Sequence, residues 1–159
     1  TASPPFGRTL GLGMGAMQAS VLAFRHFDED LNSSFSGFTA YSVLIALLIS
    51  ITACTGHAVL STYQGAMILE PRRLAPFFST SILRAGLILS LILSIYTPVI
   101  LIAPLTAVVA AWAPSQQRWL PSGLTPAARQ AFRRTTRQSE RHKEASINRT
   151  RGTPVLEEE

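Results

Sequence analysis

Two long intervals without a single Asp, Glu, Lys or Arg, Leu31 to Leu69 and Ala85 to Gln117, constrain this chain more than any other feature. Only 14% of its 159 residues are charged, against roughly 25% in ordinary soluble domains, and the shortfall is concentrated in those intervals. A simple soluble domain is excluded. So is a large extramembrane enzyme domain beside the apolar segments, since such a domain needs about 100 residues or more. The expectation is a small all-α integral membrane protein.

Three regions follow from the pattern. Residues 1–37 read as an extended lead-in through Pro4 and Pro5, a short Gly-rich helix over Thr9–Phe24, and a polar turn with Asp28, Glu29, Asp30 and serines that could cap the next helix. Thr9–Phe24 spans only about 24 Å as a helix, short of a roughly 30 Å hydrocarbon core, so it is read as packed or partly inserted. Gly11, Gly15 and Ala19 recur every four residues on one face, the spacing at which small residues let two helix backbones approach.

Residues 38–113 are expected to form two transmembrane helices in a hairpin, with spans of about 38–60 and 83–113 and a loop at 70–78. Glu70-Pro71-Arg72-Arg73 ends the first span, because a residue before proline avoids helical geometry and charges are costly in lipid. The second interval is too long for one span and too short for two. Pro98 and Pro104 make a single kinked helix the preferred reading, with a re-entrant pair shielded by protein as the alternative. Trp112 and Trp119 mark its exit from the membrane as interfacial aromatics do.

Residues 114–159 form a basic extramembrane tail. Arg118 to Arg151 holds nine of the fourteen basic residues, and Thr125-Pro126 is a strong helix start, a capping hydroxyl followed by proline at the first helical position. A helix over about 126–144 then carries Arg129, Arg133, Arg137 and Arg141 at four-residue steps, with Arg134 beside them. Such a stripe fits acidic neighbouring subunits or anionic lipid such as cardiolipin, at about 1 kcal/mol per basic residue near the surface. Nucleic acid is the weaker partner, because no aromatic platform accompanies the arginines.

Few residues could carry chemistry. Neither expected span contains a carboxylate, so the chain alone is not expected to carry ions. His57, late in the first span, is a candidate ligand for haem or chlorophyll, weighed against an ordinary interhelical hydrogen bond. Cys54, the single cysteine, cannot form an internal disulfide and reads as a small packing residue. With no phosphate loop, paired carboxylates, nucleophile motif or metal-ligand set, the expectation is a protein without enzymatic activity, metal or resident cofactor.

The alternating run Gly11-Leu-Gly-Met-Gly15, a hairpin through Glu70-Pro71-Arg72-Arg73 and the stretch Phe78-Ser-Thr-Ser-Ile-Leu83 together resemble the proteolipid ring subunits of rotary ATPases. In that family the second helix bears the ion-binding acid. Here it offers Leu87, Leu89 and Leu91, so the resemblance implies at most a degenerate proteolipid-like component and not the activity.

The leading expectation is a non-catalytic accessory subunit of a multisubunit energy-converting complex, such as a respiratory complex or ATP synthase. It would work through its small-residue helix face and its basic tail. A start at Thr1 and an Arg-rich, Lys-poor composition point to the mitochondrial inner membrane, with the tail on the matrix side by the positive-inside rule; a thylakoid membrane is the alternative. Arg72 and Arg73, placed by a two-span hairpin on the side opposite the tail, oppose that orientation. The glycosylation-like triplets at Asn32 and Asn148 would share the tail's side.

Overall fold

The computed structural model describes residues 3–30, 37–69 and 74–150. Among them the chain is all-helical, and three helices are long and apolar enough to cross a membrane: Ala40–Met67, Leu74–Tyr96 and Pro98–Ser122. Residues 1–123 form one compact unit and residues 124–159 a second.

The first helix, α1, is not short. It runs Ser3–Phe27, 25 residues, or about 37 Å. The expected extended lead-in is helical because Pro4 and Pro5 fall in the first turn, where a missing N–H has no intrahelical acceptor to lose.

Gly37, at a φ of 86°, turns the chain toward the second helix, a left-handed conformation that favours glycine. Thr39 then caps α2, Ala40–Met67, through a reciprocal box. Its Oγ1 accepts from the Ser42 N–H at 3.1 Å, and Ser42 Oγ accepts from the Thr39 N–H at 2.9 Å. Two orphan donors at the helix start are thereby satisfied. The caps expected from Ser33, Ser34 and Ser36 lie outside the described residues. The expected 38–60 span and its continuation form one helix, in which Thr52 and Thr62 donate to the carbonyls of Leu48 and Ala58 one turn back. Those bonds satisfy hydroxyls where no water competes.

The expected single helix over 83–113 is replaced by two. Helix α3 covers Leu74–Tyr96, beginning inside the expected 70–78 loop. The chain breaks at Thr97, with φ −135° and ψ 87°, because Pro98 drives its predecessor out of helical geometry. The next helical segment, α4, spans Pro98–Ser122. It starts as a 3-10 turn, is α-helical over Ile102–Pro114, and loosens into a π turn at Ser115–Trp119. Pro104 sits early in the α-helical stretch, so it removes one bond without breaking the helix. The π turn closes through the Leu120 N–H, which donates to the Ser115 carbonyl just ahead of Pro121. Arg84 and Arg118 look like span boundaries in the sequence, yet both lie within helices, which gives α3 and α4 23 and 25 residues.

Small residues and leucines settle how the helices pack. Leu87, Leu91 and Ile95 of α3 and Leu101 of α4 join Ala19 and Leu22 of α1 and Ile45, Ile49 and Ala53 of α2 in one core. Gly56 lets α2 approach both partners: a Cβ there would lie 2.7 Å from Leu87 Cδ2 and 3.3 Å from Val108 Cγ2.

The second unit contains a helix over Pro126–Thr150, longer than the expected 126–144. Thr125 caps it, with the Ala128 N–H donating to its Oγ1 at 3.3 Å and the Arg129 N–H to its carbonyl at 2.8 Å.

Candidate functional site

The groups singled out in the sequence fall into two sets, a seam between α1 and α2 and the arginine stripe of the tail helix. On the seam, α1 runs antiparallel to α2, each four-residue step forward on one matched by a four-residue step back on the other. A Cβ on Gly7 would collide with the Ser61 carbonyl oxygen. One on Gly11 would collide with the His57 carbonyl oxygen and lie 2.8 Å from the Ala58 Cα. At Gly15 it would lie 2.7 Å from the Ala53 carbonyl oxygen, and at Gly65 of α2 it would lie 2.8 Å from that of Ser3. Ala19 is buried in the same line. At the far end His26 Nε2 lies 3.1 Å from the Ser42 carbonyl.

Gly11, Gly15 and Ala19 therefore pack against this chain's own second helix. Sequence reasoning missed Gly7, although it continues the same four-residue step, and it missed Gly65, whose role depends on the register of the partner.

His57 belongs to this seam. The residue is 2% exposed, and its Nε2–H donates to Gln18 Oε1 at 2.6 Å. Nε2 is thus engaged by α1, the interhelical hydrogen bond that the sequence sets beside the ligand reading. His57 Nδ1 and the Gln18 amide nitrogen are buried without a hydrogen-bond partner, so removing either residue strands its companion. Gln18→Leu and His57→Leu should each cost about 1–3 kcal/mol. The double variant should cost less than the sum, a coupling readable in a double-mutant cycle of unfolding in detergent. Strict additivity would show that the two side chains do not pair.

Both ends of the four-helix unit are marked by polar and aromatic contacts. At one end Arg8 donates to Gln116 Oε1 at 2.8 Å and lies 5.2 Å from the centre of the Trp112 ring. Tyr63 packs on Trp119 with ring centres 4.9 Å apart, and Gly123 meets Pro4. At the other end Arg25 donates to Tyr96 Oη at 3.3 Å, and Phe27 stacks on Phe38 at 4.7 Å. Tyr41 and Tyr63 on α2 are about 33 Å apart along the helix, close to the thickness of a hydrocarbon core.

In the second unit Arg129, Arg133, Arg134, Arg137 and Arg141 are all exposed. Among the described residues no group of three or more His, Cys, Asp or Glu side chains gathers as a metal site. Compared with protein-family models, with curated proteins and with solved structures, the chain matches none.

Proposed function

We propose that the chain is a non-catalytic scaffold subunit of a larger membrane complex, built as a four-crossing helical body that presents a basic tail to one side. The observation that carries this reading is the use of interior polar groups. The four helices contain no Asp or Glu, and Arg8, Arg25, Gln18, His57 and Gln116 are engaged in contacts between helices. Groups spent on holding helices together are not poised to move protons or attack a substrate. Meanwhile Ile82, Leu89, Val99, Ile102 and Val109 face outward from α3 and α4, surface suited to lipid or to helices of other subunits.

The crossing of α1 is argued from packing rather than from hydropathy. A helix that lies antiparallel along the full length of a membrane-crossing partner shares that partner's depth. Its Arg8 and Arg25 are about 25 Å apart along the axis, each among aromatic groups at one end of the bundle, where an arginine can reach the interface. With α3 and α4 as two crossings, the loop at 70–73 and the tail fall on the same side of the membrane, and the crossing of α1 adds Arg8 to that side. Arg72 and Arg73 then join Arg8, Arg118 and the arginine stripe, while Arg25 with Asp28, Glu29 and Asp30 takes the other side. The conflict created by a two-span hairpin is gone, and the positive-inside rule assigns the tail to the matrix, cytoplasmic or stromal side. An energy-converting complex of the mitochondrial inner membrane is the setting that the Arg-rich, Lys-poor composition suggests. The proteolipid-like reading rests on a few motif residues and lacks the acid.

Arginines four residues apart along a helix repel one another, and an anionic partner relieves that repulsion. Changing Arg129, Arg133, Arg134, Arg137 and Arg141 together to Gln in the full chain should therefore weaken its retention in a native complex. The weakening should amount to about 1 kcal/mol for each residue that reaches the anionic surface. Native-gel migration of the tagged chain checks this, and unchanged co-migration would remove the stripe as the docking element.

A further inference from the structure

Arg84 stands apart from the contacts described above. It is the one ionisable residue in the first half of α3, and its guanidinium reaches α2, donating to Ser61 Oγ at 2.9 Å. Its Nε is buried and has no hydrogen-bond partner among the described residues. No carboxylate is present on any of the four helices to neutralise it.

The guanidinium opens on a groove of about 420 Å³ between α1, α2 and α3. Ser61 and Gln64 form its polar wall, while Phe6, Leu10 and Met14 of α1 form an apolar wall that runs on toward the middle of the membrane. Phe6 is 74% and Leu10 65% exposed, so this wall is open to the surrounding lipid. Ser61 lies half a turn from Tyr63, the aromatic that packs on Trp119, which sets the guanidinium at the level of the interface.

We propose that this groove is a binding site for one anionic phospholipid, its phosphate held by Arg84 with help from Ser61 and Gln64, and an acyl chain lying along Phe6, Leu10 and Met14. Charge selects the occupant. An arginine near lipid without a protein counter-ion is stabilised by an anion at its own depth, and a planar guanidinium matches the oxygens of a phosphate. The apolar wall supplies what a free phosphate ion could not use. The same end of the bundle carries Arg8 and Arg118, and anionic headgroups are favoured there by the same electrostatics.

The test is native mass spectrometry of the full chain released from nanodiscs holding equal phosphatidylglycerol and phosphatidylcholine. The tail variant with five arginines changed to Gln is used as the background, so that lipid held by the tail does not contribute. One retained phosphatidylglycerol per chain is expected, in preference to phosphatidylcholine by about tenfold, with Arg84→Gln abolishing the preference and Arg84→Lys keeping part of it. Addition of inorganic phosphate at millimolar concentration should not displace the lipid; displacement would make the site one for a free anion and overturn the proposal. Equal retention of both lipids by the unsubstituted groove would also overturn it, whatever becomes of the variants, as would a preference that survives Arg84→Gln.

Discussion

Gly11→Leu is expected to separate α1 from α2, lowering the thermal midpoint of the detergent-solubilised protein by about 10 °C, whereas Gly13→Leu, two residues away, should leave it within a degree or two. A side chain at Gly11 meets the backbone of His57 and Ala58, which cannot swing aside, while a Cβ at Gly13 meets nothing within 4 Å. Overpacking costs about 1–3 kcal/mol where neighbours can yield, and backbone neighbours put Gly11 at the top of that range. About 3 kcal/mol corresponds to roughly 10 °C for a chain of this size. Gly13 faces outward, so its substitution carries only a helix-propensity term that favours the larger residue.

Trp112 supplies the readout, because Arg8 of α1 lies over its ring and leaves when the seam opens. Gly15→Leu should behave as Gly11→Leu does. Equal effects at Gly11 and Gly13 would mean that the glycines act through helix propensity and not through close approach.

Much of the fold could be read from the residues alone. The absence of charge over Leu31–Leu69 and Ala85–Gln117 identified apolar helices, and the four-residue recurrence of Gly11, Gly15 and Ala19 identified a contact face. What that face touches was not legible, since a small-residue stripe looks the same whether it meets another subunit or the next helix of its own chain. The register is decided by α2, where Ser61, His57 and Ala53 recur at the matching interval.

The helix count was misread for a physical reason. Treating charge as the boundary of a span set aside Arg84, yet a single arginine that reaches a hydroxyl on a neighbouring helix can sit within one. Treating prolines as kinks in one long helix underrated Pro98, which acts on Thr97 before it and stops α3. Pro4 and Pro5 were read as coil although the first turn of a helix is where proline fits best. Hydropathy is a poor guide to α1: its glycines contribute little to any apolar average, and their value lies in the approach they permit. His57 shows the limit of reading one residue at a time, because its partner Gln18 lies 39 positions away on another helix.

The largest consequence of these changes concerns sidedness. Two crossings put Asn32 and Asn148 on one face of the membrane; four crossings put them on opposite faces and bring residues 70–73 to the face that holds the tail. The difference is all or none. It also bears on function, because four crossings give the arginine stripe, Arg72 and Arg73 to one compartment, whereas a two-span hairpin divides them between two.

The most direct measurement is labelling of single cysteines in sealed vesicles with a membrane-impermeant maleimide, in a Cys54→Ala background with Asn32→Cys, Pro71→Cys or Asn148→Cys. Pro71→Cys and Asn148→Cys should react from the same side and Asn32→Cys only from the other. Labelling of Asn32→Cys and Asn148→Cys from the same side, with Pro71→Cys opposite, would contradict α3 and α4 as separate crossings and with them the four-helix membrane body.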